Sequence, residues 1–112
     1  MSLSTHLLDL SLGRPATNVA VSLTRWAETD WAPVHQARTD ADGRIHSLVP
    51  EGELLDPGTF RMRFDTAAYF TVQGRSSLYP FIDIVFQLED AQAHYHLPVL
   101  LTAHGYTTYR GS

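Results

Sequence analysis

Apolar and polar side chains alternate with a period of two along several stretches of the chain, and this pattern constrains its fold class more than any other feature. Val19, Val21 and Leu23 alternate with Ala20, Ser22 and Thr24, and Phe60, Met62 and Phe64 with Arg61, Arg63 and Asp65. Ile82, Ile84, Phe86 and Leu88 form a further row, as do Tyr95, Leu97, Val99 and Leu101. Successive side chains of an extended backbone point to opposite faces, so each stretch reads as a strand with one face in a core. Turn signals divide them: Gly13-Arg14-Pro15, Asp40-Ala41-Asp42-Gly43, Pro50-Glu51-Gly52 and Asp56-Pro57-Gly58. Short strands at this spacing predict an all-β sandwich or barrel. Asp65-Thr66-Ala67-Ala68-Tyr69-Phe70 breaks the pattern. Its capping residues and alanines predict a short helix after the Phe60–Phe64 strand. Pro98 lies inside the late apolar strand and has no N–H for a ladder, which predicts an edge position or a bulge there. An apolar edge would need a covering chain, so oligomerisation is expected.

The length of 112 residues suits a single domain spanning residues 1–112, with one modest core. Any site that it builds alone should be shallow. A net charge of −4, with eight scattered arginines as the basic residues, cannot supply the counterion release of a nucleic-acid binder. Without cysteine, disulfides and thiolate metal sites are excluded. No stretch approaches the roughly 20 apolar residues of a membrane span. Met1-Ser2-Leu3-Ser4-Thr5-His6 lacks the features of a signal peptide, so a cytoplasmic location is expected.

The residues that stand out for chemistry carry imidazole, guanidinium, phenol and hydroxyl groups. Of the six histidines, His35, His46 and His104 taken singly read as ordinary surface or core residues. His6 lies in the strand-like run Leu3–Leu8, where an imidazole needs a partner. His94 and His96 share one face of an apolar strand. A His-X-His pair joined by His6 could bind zinc, but no fourth ligand is evident, and acid/base work ranks above metal binding. Arg44, after Asp42-Gly43, is either an exposed arginine or a fork of donors for an electron-rich substrate. The terminal Gly105-Tyr106-Thr107-Thr108-Tyr109-Arg110-Gly111-Ser112 reads either as a frayed strand or as a group of functional donors.

Several of these segments together resemble the 5-hydroxyisourate hydrolases, the transthyretin-related enzymes of urate degradation. They are Leu3-Ser4-Thr5-His6-Leu7-Leu8-Asp9 with Gly13-Arg14-Pro15-Ala16, Asp42-Gly43-Arg44, Phe64–Phe70, His94–Leu101 and the terminal Tyr109-Arg110-Gly111-Ser112. Thr102-Ala103-His104 and Phe81 depart from that pattern and leave the local loop shape open. The resemblance spans essentially the whole chain, and the terminal tetrapeptide is its most specific part. It implies a transthyretin-like two-sheet β-sandwich with one short helix, assembled as a homotetramer, a dimer of dimers with active sites in the groove between dimers. It implies hydrolysis of 5-hydroxyisourate to 2-oxo-4-hydroxy-4-carboxy-5-ureidoimidazoline, without cofactor or metal. His6, Arg44 and His96 are then the expected catalytic residues, with His6, Arg44, Tyr109 and Ser112 contacting substrate. His96 is a better candidate than His94, and either His6 or His96 could be the base. Imidazoles close to a guanidinium should titrate low. The alternative is a transthyretin-like carrier of small aromatic ligands without catalysis.

Overall fold

The computed structural model describes residues 2–112. Nine strands and one helix follow in the order β1 (Ser2–Asp9), β2 (Arg14–Pro15), β3 (Ala20–Ala27), β4 (Asp30–Arg38), β5 (Arg44–Ile45), β6 (Gly58–Phe64), α1 (Thr66–Val72), β7 (Ile82–Leu88), β8 (His94–Leu101) and β9 (Tyr106–Thr108). The strands make two sheets. One has the order β2-β1-β8-β9, with β5 also paired to β1, and the other the order β4-β3-β6-β7.

The alternation places the core between the sheets. Leu3 and Leu7 of β1 and Val99 and Leu101 of β8 are buried on one side, and Val21, Leu23, Phe60, Met62, Phe64, Ile82 and Leu88 on the other. Burial at roughly 25 cal/mol per Å² of apolar surface drives this layering. It leaves Ser2, Ser4, His6 and Leu8 on the outer face of β1. β1 and β8 run parallel, with Ser4 opposite His96 and His6 opposite Pro98, so the outer polar residues of both strands share one surface.

The helix occupies its expected place but is held differently. Asp65 stands at the N-cap and makes no side-chain cap bond. Phe70, buried in the core, anchors α1 instead. Beyond it, Arg75 donates its backbone N–H to the Phe70 carbonyl at 3.0 Å and its guanidinium to the Asp9 carboxylate, which Tyr69 Oη also reaches at 2.8 Å.

Two prolines correct the expectation about β8. That strand is interior, with β1 on one side and β9 on the other. Its ladder with β9 runs from Leu101↔Tyr106 to Val99↔Thr108 and resumes at the bridge His96↔Gly111, in the same register. The gap covers Pro98, which has no N–H to contribute. The edge position and register shift fall instead to Pro33, where edge strand β4 slips against β3 between Leu23 and Thr24. The covering strand for β8 therefore comes from the same chain, which removes the edge-strand reason for oligomerisation.

Candidate active site

The outer face of β1, β5 and β8 collects most of the residues singled out from the sequence. Antiparallel pairing sets His6 opposite Arg44, and the β1–β8 register places Ser4 opposite His96. A shallow depression of about 270 Å³ opens there, lined by Ser4, Arg44, His46, His94, His96 and Ser112 among others. The guanidinium of Arg44 has no hydrogen bond or ion pair among the described residues, so its donors are free for a ligand.

The turn that presents Arg44 is tightly specified. Asp40 Oδ1 accepts the backbone N–H groups of Asp42 and Arg44, both at 2.9 Å, and these bonds, led by the one from Arg44, hold its carboxyl below the ordinary carboxylate value. Gly43 follows with φ of +74°, and a Cβ there would lie 2.4 Å from the Leu7 carbonyl oxygen. Only glycine satisfies both conditions. The turn also directs the Asp42 carbonyl at His6, 2.8 Å from its Nε2. A carbonyl only accepts, so Nε2 donates to it, and a neutral ring in this pose has its lone pair on Nδ1.

His96 is half-buried on β8. Its Nδ1 lies 2.8 Å from Ser4 Oγ, and its ring runs parallel to that of His94 with centroids 6.3 Å apart. Partial burial, then the charge of Arg44, then the neighbouring His94 and His6 lower its pKa from the ordinary imidazole value of 6.5. Each disfavours a further positive charge, so the ring is neutral near pH 7.

The terminal segment is tied to its own chain. Gly111 donates its N–H to the His96 carbonyl at 2.7 Å. A Cβ on Gly111 would stand 2.8 Å from His96 Cδ2, so the tail can lie this close only because residue 111 has no side chain. Arg110 caps the Tyr95 ring at 4.2 Å and donates to the His94 carbonyl at 3.2 Å. These contacts bring Ser112 to the depression. Tyr109 is 54% exposed and does not line it.

Other histidines separate cleanly. His46, which sequence reasoning treated as ordinary, reaches the rim, 3.5 Å from Asp40 Oδ2. His35 lies in β4 of the other sheet. His104 is exposed in a turn closed by Thr102, whose backbone N–H donates to the Gly105 carbonyl at 2.9 Å. Ser2 and Ser4 were missed: their role depends on a parallel pairing of residues 92 positions apart, which no local pattern reveals. Among the described residues no group of three or more His, Cys, Asp or Glu is placed to hold a metal ion.

Comparison with known proteins gives a consistent result. Residues 3–111 match the model of the HIUase/Transthyretin family. A 5-hydroxyisourate hydrolase of Salmonella typhimurium is 40% identical over 110 residues, covering 98% of this chain and 80% of the relative. The structure of Klebsiella pneumoniae 5-hydroxyisourate hydrolase superposes with a TM-score of 0.83 at 38% identity, covering 99% of this chain and 93% of the other. Sea bream transthyretin in complex with thyroxine superposes with a TM-score of 0.90 at 34% identity, covering 99% and 95%.

Proposed function

The chain belongs to the HIUase/Transthyretin family, and from that membership we propose that His6, Arg44, His96 and Ser112 form one wall of its active site. The activity is hydrolysis of 5-hydroxyisourate, a reaction of urate degradation. The observation that carries the site assignment is the meeting of the His96 imidazole, the unpaired Arg44 guanidinium and Ser112 on one sheet face.

The reaction opens a cyclic amide. A water molecule gives one proton to an imidazole as its oxygen attacks the ring carbonyl. The new C–O bond forms, the C–N bond breaks, and the imidazole returns the proton to the leaving nitrogen. Arg44 holds the oxygen on which negative charge develops, with a fixed fork of donors in place of mobile water. Ser112 contacts the substrate at the depression, and Tyr109, exposed outside it, reaches substrate only from a second copy of the chain. The product is 2-oxo-4-hydroxy-4-carboxy-5-ureidoimidazoline.

The depression is too open to enclose a planar ring by itself, and a homotetramer, a dimer of dimers, would close it with a second copy of this face. A cytoplasmic location completes the proposal. Backbone likeness to the thyroxine-bound transthyretin supports the carrier reading only at the level of fold, because one fold hosts both functions. A carrier has no use for an unpaired guanidinium beside imidazoles. Ultraviolet decay of freshly generated 5-hydroxyisourate should accelerate on adding the protein. Decay at the rate in buffer alone would overturn the assignment.

A further inference from the structure

The two serines on the outer face of β1 have no task in the reaction as described. Each faces a histidine of β8, because parallel strands in register repeat the same pairing every second residue. Ser2 Oγ is hydrogen-bonded to His94 Nδ1, and Ser4 Oγ to His96 Nδ1 at 2.8 Å. The partners differ in setting. His94 is exposed and His96 half-buried. His96 is also gripped on its opposite ring edge, where Gly111 packs against Cδ2.

Resting on the proposed hydrolase reading, and taking His96 as the imidazole that moves the proton, we propose that Ser4 is a positioning residue. Its hydroxyl holds the His96 ring through Nδ1 and leaves Nε2 as the nitrogen that exchanges protons with water and substrate. A hydroxyl both donates and accepts. With Nε2 bare, Nδ1–H donates to Ser4 Oγ. After Nε2 gains a proton the imidazolium keeps that same bond. If Nε2 alone is protonated, the Ser4 O–H turns and donates to Nδ1. The ring therefore keeps its orientation in every protonation state. His6 is built differently: the Asp42 carbonyl at its Nε2 only accepts and fixes one neutral tautomer. Ser4 thus suits a ring whose proton comes and goes.

Ser4→Ala and Ser4→Thr test this, with kcat and KM measured across pH and the ring nitrogens of His96 followed by 15N NMR. Ser4→Ala should lower kcat on the order of tenfold with KM nearly unchanged. It should also shift the tautomer populations of His96, while Ser4→Thr, which keeps a hydroxyl, restores most of kcat and the wild-type spectrum. Unchanged kcat in a folded Ser4→Ala protein, or an unaltered His96 spectrum, would overturn the proposal. So would a Ser4→Thr variant as impaired as the alanine variant. The spectrum is read without substrate, so it separates failure of this inference from failure of the hydrolase reading, which the wild-type decay assay decides.

Discussion

His96 and Arg44 are residues whose chemistry follows from a few ångströms of surroundings. Replacing either with alanine should lower kcat/KM by about 10²–10⁴-fold, and because both lie on an outer face, melting temperatures should change little. The depressed pKa of His96 has a definite sign. Its burial and the charge of Arg44 favour the neutral ring, so the acid limb of a kcat/KM profile should fall below pH 6.5, and Arg44→Ala should move it upward. Stability follows the same linkage. Between the native value and about 6.5, the unfolded chain binds a proton that the native chain does not. His96 therefore makes the fold lose stability as pH falls through that window, and His96→Ala should reduce this slope in urea titrations at stepped pH.

Two elements show how local geometry is transmitted to the site. The turn before β5 combines a positive φ at Gly43 with a carbonyl contact that admits no Cβ. Gly43→Ala should cost about 2–4 kcal/mol, read as a lower urea midpoint, and should impair activity through Arg44 and the Asp42 carbonyl. At the end of β1, the fully buried Asp9 binds Arg75 and Tyr69. Burial alone would raise its pKa, but the bonds from Arg75, Tyr69 and the Leu12 N–H outweigh it, and the net shift is downward. Asp9 therefore contributes stability that is complete above its ordinary value of 3.8 and lost as pH falls through the native one. Asp9→Ala should destabilise by about 3–5 kcal/mol, since it leaves Arg75 without its partner, and should flatten acid denaturation below pH 4.

For the whole molecule, the shallow face and the exposed Tyr109 motivate the tetramer. Light scattering coupled to size exclusion should report four chains, and a monomer with full hydrolase activity would refute the shared site. The tail sets a second expectation. Since Gly111 is bonded to His96 and Ser112 stands at the depression, a tag after Ser112 should reduce kcat/KM more than one before Met1. Deleting Ser112 should have a similar effect.

The rows of alternating residues determined strands β3, β6, β7 and β8, an all-β sandwich or barrel and much of the core, because side-chain period and burial are local properties of a chain. The family resemblance selected the sandwich, and β4, which lacks clean alternation, came only with the structure. His6, His96 and Ser112 stood out as unusual polar groups in apolar or terminal surroundings, whereas Arg44, after its turn, read either way and joined them only through the family resemblance. Pairing decided the rest. Whether a proline strand lies at an edge depends on which strand returns beside it, and β9 returns beside β8. Whether a serine serves a histidine depends on a register between residues 92 positions apart. Long-range register follows from the shared burial of both strands, so the Ser4–His96 pair and the tail packed on Gly111 came only with the tertiary structure.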